Sequence, residues 1–258
     1  MHLHVLNKTN MTWLLTEFNL YILYILMAVL CIDVGLKNLA LCIMTNQKEI
    51  LLWETTNTLD DTAENTCTNT NLDGTVCGKR CGYTYKNNGT TVYSCKRHLP
   101  KGAIASPIRL KKVKEYLLQD IAKVVLDAIT HFFNKHQPIT SRVTKVLIEL
   151  QPRMNNKMMF TSHLIYGKLV ELYATVDRKI PVRFVRASQK LKAYKGPGVI
   201  CNLKSTYAKR KYLGVEYTKW ILQNELSKEQ CDKWLGYFLS HSKKDDLADT
   251  FLMAINGH

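Results

Sequence analysis

Apolar residues fall along this chain in two registers, short continuous runs and longer stretches at helical spacing. Residues 20–32 are thirteen apolar side chains without interruption, too few to span a bilayer, and they end directly on Asp33. The last part, 28–32, reads as a buried strand. Gly35 breaks it, and LALCIM (39–44) and EILLWET (49–55) supply two further runs of strand length joined by 45–48. Three such runs with short turns predict an antiparallel meander. Leu110, Val113, Leu117, Ile121, Val124, Ala128 and Phe132 then recur at helical spacing, predicting an amphipathic helix over 108–136 that Pro138 ends. VTKVLIEL (143–150) predicts a fourth strand and PVRFVRA (181–187) a fifth. Between them a helix over 156–176 runs through Met159, His163, Tyr166, Val170 and Tyr173. Two more helices fit 205–226 and 228–256, with a break at 240–242. This order of elements is an α/β layout built on a mixed sheet. Residues 57–106, rich in Asn, Thr, Gly and Cys, read as an insert without a core of its own.

Charge changes the picture more than bulk composition does. The 258 residues carry 36 Lys+Arg against 21 Asp+Glu, a formal charge of +15, with 46% hydrophobic residues. That apolar content, with 12 Gly and 6 Pro, excludes collagen, long disorder and low-complexity arrays. Residues 1–73 sum to −5, whereas 74–258 sum to +20. Two stretches are purely basic: 74–114 has ten Lys/Arg and 178–215 has eleven, neither with an acid. Ordinary surfaces mix both signs, so these stretches point to a polyanion, a phosphate backbone before a membrane.

The amino-terminal segment has only Lys8 before its apolar run, no small-residue cleavage pattern and no Arg in residues 1–30, unlike secretory or mitochondrial leaders. Residues 1–26 read as an extension of unknown status, with Met27 an alternative start, and the sequons at Asn7, Asn10 and Asn88 carry no meaning in an intracellular chain. Of eight cysteines, Cys31, Cys42, Cys201 and Cys231 are scattered among apolar or helical residues and read as buried thiols. Cys67, Cys77, Cys81 and Cys95 cluster ahead of His98. In a chain without a secretory signal that clustering favours metal over disulfides. The pairs Cys77-x3-Cys81 and Cys95-x2-His98 suit a tetrahedral structural Zn²⁺, with Cys67 able to replace one of the four. Zinc also explains how a core-poor segment holds a fold.

Acids at the ends of buried strands need compensating partners. Asp33 closes the first strand and Glu149 sits near the end of the fourth. Asp245, Asp246 and Asp249 open the last apolar helical stretch, in KKDDLADTFLMAI. Three-residue spacing puts Asp246 and Asp249 on one helix face and leaves Asp245 elsewhere, where a cap or helix-dipole role suits it. Converging carboxylates suit Mg²⁺ or Mn²⁺.

The segments CIDVGLKNLA, IELQ, TYAKRKYLGV and KKDDLADTFLMA, in that order, resemble the RuvC-like Holliday junction resolvases of the ribonuclease H-like superfamily, and within them the branch found in poxviruses and other large DNA viruses. The likeness spans roughly residues 28–256 apart from the insert. It implies a ribonuclease H-like mixed five-stranded sheet flanked by helices, with a nuclease domain over 27–258 and a small Cys/His zinc-binding insert at 57–106 within it. It further implies Asp33, Glu149, Asp246 and Asp249 as metal-binding catalytic acids and a basic residue beside them, Lys190 or, second, Lys192. Two Mg²⁺ ions about 4 Å apart would serve an in-line attack on phosphodiester phosphorus. Implied partners are branched DNA, gripped by Lys192, Lys209, Arg210 and Lys211, and a second copy of the chain, with no membrane. The implied setting is the cytoplasm or nucleus of an infected cell. Two other readings use the same residues: a nuclease for RNA·DNA hybrids or flaps, and a non-catalytic zinc-containing DNA-binding protein.

Overall fold

The computed structural model describes residues 27–59, 66–108 and 112–257; the extension expected at 1–26 and the expected helix position Leu110 lie outside them. The chain divides into one unit formed by residues up to 58 together with 122–258, and a second formed by 59–121.

The first unit is built on a five-stranded mixed sheet. Strands β1 (Ala28–Asp33), β2 (Asn38–Thr45) and β3 (Ile50–Asn57) form the expected antiparallel meander. Numbering the strands in chain order, β7 (Val143–Glu149) lies parallel to β1 on its other side, and β8 (Val182–Val185) lies parallel to β7. The order is therefore β3-β2-β1-β7-β8, a mixed five-stranded sheet as the resemblance to ribonuclease H-like proteins implies. β1 is buried on both faces, which is why it reads as an unbroken apolar run rather than an alternation. Helices α1 (Leu118–Lys135) and α3 (Asn156–Ala174) meet through Phe133 and Tyr173, whose rings pack edge to face at 5.5 Å. Between them sits the short α2 (Gln137–Thr140), with Pro138 in its first turn.

Helices α4 (Ala187–Lys190), α5 (Thr206–Asn224), α6 (Lys228–Ser240) and α7 (Lys244–Asn256) follow β8. Their buried side chains Ile221, Leu222, Phe238, Phe251 and Leu252 pack with Val29 and Cys31 of β1 and Trp53 of β3. Trp53 stacks on Phe238 at 5.3 Å and donates its indole N–H to the Leu247 carbonyl at 3.0 Å, so this large ring is buried with its polar atom satisfied. α7 is thereby fixed against the sheet, and its first turns carry the acids. Two expectations are corrected. The helix expected from 108 begins at Leu118, because Val113–Glu115 forms a separate 3₁₀ turn. Cys201 and Cys231 are half-buried, unlike the fully buried Cys31 and Cys42, since they lie in a loop and on an outer helix.

The turn between β1 and β2 is tight. A Cβ at Gly35 would overlap the carbonyl oxygen of Asn38, a backbone atom with no room to yield. Gly35→Ala is expected to cost about 1–3 kcal/mol, the usual range for overpacking, visible as a lower urea midpoint with an unchanged slope. Gly167→Ala, in open space on α3, is the control and should be neutral or slightly stabilising.

The second unit holds a three-stranded antiparallel sheet in the order β5-β4-β6, formed by β4 (Tyr83–Asn87), β5 (Thr90–Ser94) and β6 (Ala105–Pro107). Its buried cluster consists of Cys67, Cys81 and Cys95, with Cys77 and Ile108 packed against them. Thiols replace the aliphatic side chains that fill an ordinary core.

Candidate active site

The parallel pairing of β1 with β7 aligns Ile32 with Ile148, so Asp33 and Glu149 emerge at the same, carboxyl-terminal end of the sheet. Open α/β sheets bind ligands at that end, where the strands deliver side chains to one crevice. β8 ends alongside, Glu149 pairing with Val185, and the next turn of chain is α4, which delivers Lys190. α7 contributes Asp249 from across the sheet. One carboxylate oxygen from each of Asp33, Glu149 and Asp249 lies within 4.8 Å of the others. Lys190 is only 7% exposed and pairs with Glu149 at 3.1 Å and with the Asp249 carboxylate.

These groups line a cleft of about 380 Å³ that also includes Asp246, Leu150, Gln151, Pro152, Tyr207, Arg210 and Lys211. A larger hollow of about 540 Å³ beside Tyr173 and Arg178 contains a single acid, Asp177, and no converging set.

Three acids around one buried ammonium leave uncompensated negative charge, and the titration behaviour reflects it. Burial pushes Asp33 well above the ordinary carboxyl range, and the neighbouring Glu149 and Asp249 raise it further. Burial also raises Asp249, to about 6, against the pull of Lys190. Burial works on Glu149 in the same sense, but hydrogen bonding with Asp33 and the Lys190 charge outweigh it and leave its pKa lowered. Crowding of three carboxylates around a single ammonium favours a bound cation, and the oxygen-only donor set fits Mg²⁺ or Mn²⁺.

The remaining expected residues are placed less centrally. Asp246 lines the cleft outside the three-acid cluster; burial raises its carboxyl, and it hydrogen-bonds with Asn38. Asp245 projects differently and forms an ion pair with Lys211. Lys192 sits exposed in a 3₁₀ turn, Leu191–Ala193, away from the acids, so Lys190 is the lysine that meets them. Lys209 is exposed outside the cleft, whereas Arg210 lines it. Tyr207 was not anticipated by the acid-and-base pattern, because a lone tyrosine in a basic segment carries no spacing signal.

The second unit gathers Cys67, Cys77, Cys95 and His98 with ligand atoms within 4.8 Å of one another. The separations are 3.5 Å from Cys67 Sγ to His98 Nδ1, 3.6 Å from Cys95 Sγ to the same nitrogen, and 3.9 Å between Cys77 and Cys95 sulfurs. Tetrahedral zinc with bonds of about 2.3 Å to sulfur needs edges of about 3.8 Å. The set differs from the spacing-based one in having Cys67 where Cys81 was expected. Burial works against the Cys67 thiolate, yet hydrogen bonds from the Cys95 backbone, Asn69 and His98 hold its pKa at about 6. Burial and then the Cys67 and Cys95 sulfurs raise Cys81. Cys67 lies within the converging set and Cys81 outside it.

A mixed five-stranded sheet thus places Asp33 and Glu149 at the carboxyl ends of two parallel strands, where Asp249 of α7 and Lys190 of α4 meet them. Among known proteins, no family model matches the chain. An uncharacterized protein of Acanthamoeba polyphaga mimivirus is 32% identical over 208 residues, 73% of this chain and 48% of that protein, so the chain spans about half the length of the curated relative it matches. Among solved structures, Thermus thermophilus RuvC in complex with a Holliday junction substrate has 11% identity and a TM-score of 0.41, covering 89% of this chain and 91% of that one. A second Thermus thermophilus RuvC structure has 12% identity and a TM-score of 0.38, covering 89% and 92%. Among the described residues no helix is long and apolar enough to cross a membrane.

Proposed function

We propose that this protein is a metal-dependent endonuclease that cuts four-way DNA junctions, of the type found in poxviruses and other large DNA viruses. The observation that carries the reading is the convergence of Asp33, Glu149 and Asp249 on the buried Lys190 at one end of the sheet. Those acids hold the divalent ion, with Asp246 at the cleft wall as a further ligand. Mg²⁺ or Mn²⁺ there supplies Lewis-acid activation of water and of the phosphodiester. Lys190 keeps Glu149 and Asp249 in register and lends positive charge to the scissile phosphate. Arg210 holds a neighbouring phosphate at the cleft, and Lys192 and Lys209 grip the backbone without reading bases. Symmetric cuts in two strands need two sites, so the working form is a homodimer. The mimivirus relative supports a large-virus setting, the processing of recombined or concatemeric genomes inside the infected cell. The Cys/His unit holds structural Zn²⁺.

Synthetic junction, duplex, flap and RNA·DNA hybrid substrates, each with Mg²⁺ and with EDTA, test the reading. Cleavage of the junction alone, dependent on metal, is the expected result. Equal cleavage of the hybrid would mark a more general ribonuclease H-like nuclease. Binding without cleavage in both Mg²⁺ and Mn²⁺ would leave a zinc-containing DNA-binding protein.

Salt dependence divides the basic residues. Each neutralised phosphate contributes a log-log slope of roughly −0.9 on B-form arms. Replacing Lys209 and Arg210 together by Ala should flatten the slope of junction binding by up to about 1.8. Lys211→Ala should change it less, because its charge is already paired with Asp245. An unchanged slope in the double variant would place that turn of α5 off the DNA.

A further inference from the structure

Four basic residues of the second unit stand next to its converging ligands. Lys79 and Arg80 lie between Cys77 and Cys81, and Lys96 and Arg97 lie between Cys95 and His98. The Cys77 and Cys95 sulfurs are 3.9 Å apart, so the two turns of chain that carry these cations meet at one point. Both turns have a fixed backbone. Gly78, at φ +58°, takes the left-handed conformation that reverses the first. The Cys67 amide donates to the Lys79 carbonyl at 2.7 Å, and the Cys67 carbonyl accepts from the Gly78 amide at 3.1 Å. The second is a 3₁₀ turn, Lys96–His98, in which the His98 amide donates to the Cys95 carbonyl at 3.1 Å. All four basic residues are exposed. Their charge is not balanced locally. Residues 66–108 hold Lys79, Arg80, Lys86, Lys96, Arg97 and Lys101 against a single acid, Asp73, whose carboxylate accepts from the Thr75 amide and hydroxyl. Among the described residues no acid pairs with any of the four. A divalent ion on three thiolates and an imidazole leaves one negative charge, enough to offset one of the four cations.

Exposed cations gathered this way repel one another, and a polyanion relieves that repulsion. The sheet of the same unit indicates which kind. Strand register puts Thr84, Lys86, Thr91, Tyr93 and Ser106 on one face, where Lys86 donates to the Thr91 hydroxyl at 2.7 Å. Hydroxyls and amines of this sort contact phosphate oxygens, whereas a lipid surface calls for aliphatic side chains on the docking face. We infer that Lys79, Arg80, Lys96 and Arg97 form a phosphate grip that holds a duplex arm of DNA by its backbone. The inference rests on the nuclease reading above for its choice of DNA as the polyanion. It gives the Cys/His unit a task besides holding zinc. It also separates two sets of cations, this one in the second unit and Lys192, Lys209 and Arg210 in the first. A grip on the backbone alone reads neither sequence nor branching, so linear and branched DNA feel it equally.

The test uses the full chain, with neither Mg²⁺ nor chelator, and follows binding to a four-way junction and to a linear duplex between about 50 and 200 mM salt. With Lys79, Arg80, Lys96 and Arg97 all replaced by Ala, the log-log slope should flatten by about 1.8 to 3.6, two to four phosphates at roughly 0.9 each, and equally on both DNAs. Lys79→Ala with Arg80→Ala, and Lys96→Ala with Arg97→Ala, should each give about half of that change. Arg80→Lys with Arg97→Lys keeps the charge and should keep the slope. None of the four is among the converging ligands, so each variant should retain its zinc. An unchanged slope in the fourfold variant would overturn the inference, and so would a change confined to the junction. If the fourfold variant loses its zinc, the two double variants decide in its place, and unchanged slopes in both would overturn it. Phosphatidylserine vesicles that bind the parent and not the fourfold variant, with DNA slopes unaltered, would make the surface a membrane contact instead. A parent that grips both DNAs through these residues but cuts neither would refute the nuclease reading and leave the grip standing. A parent that cuts junctions while the fourfold variant keeps the parental slope would refute the grip alone.

Discussion

Asp33→Asn is expected to lower junction cleavage about a thousandfold or more, the equivalent of roughly 4 kcal/mol of transition-state stabilisation, and at the same time to make the metal-free protein harder to unfold. The first effect follows from removing one of three oxygens that meet within 4.8 Å. The second follows from the sign of the Asp33 shift. Its folded-state pKa is raised, first by burial and then by Glu149 and Asp249. Folding therefore takes up a proton between the unfolded and folded values, and stability falls as pH rises through that window. Above it the metal-free parent carries a half-buried, crowded carboxylate. The neutral Asn does not, so its advantage in Tm should be largest at pH 8 and shrink as the pH drops. Mg²⁺ should raise the Tm of the parent and not that of the variant, since only a ligand that binds the folded state stabilises it. Asp245→Asn, which removes a partner of Lys211 rather than a member of the cluster, should cost far less. Wild-type cleavage by Asp33→Asn would remove this cleft from the chemistry.

Loss of zinc should have the other large effect. The second unit buries Cys67, Cys81 and Cys95 as its core, so little hydrophobic burial holds its sheet. Structural zinc contributes about 10–16 kcal/mol of apparent binding free energy in small domains at neutral pH. Elemental analysis should find about one Zn per chain. Cys67→Ser and Cys95→Ser should lose it, whereas Cys81→Ser should keep it. Chelation should speed amide exchange across β4, β5 and β6 by orders of magnitude while β1, β2 and β7 stay protected. Retention of zinc by Cys67→Ser together with its loss from Cys81→Ser would restore the assignment based on spacing. Metal-free protein with a disulfide in this unit and an intact sheet would remove zinc altogether.

Strands β1 and β2 were legible because burial on both faces forces unbroken apolar runs, and the helices because each buries one stripe. The break between α6 and α7 was legible because the polar residues Ser240, His241 and Ser242 interrupt the apolar pattern there. The start of α1 was not, since Val113 keeps the helical period while the backbone around it forms a 3₁₀ turn. Spacing also misjudged Cys201 and Cys231, because an apolar neighbourhood in sequence is not burial in space.

The sequence by itself determined a mixed α/β sheet, acids at strand ends and at the start of the last helix, and a Cys/His-rich insert, because these are properties of local pattern and charge. The tertiary structure alone decided which side chains meet. Parallel pairing of β1 with β7 set Asp33 beside Glu149 across more than a hundred residues, and packing of α7 on the sheet brought Asp249 to them. The same packing distinguished Lys190 from Lys192, bound Asp245 to Lys211 and left Tyr207 facing the cleft. In the second unit, chain folding rather than ligand spacing gathered Cys67 with Cys77, Cys95 and His98. Convergence of this kind depends on strand order and helix packing, which contacts distant in sequence establish and no local period encodes.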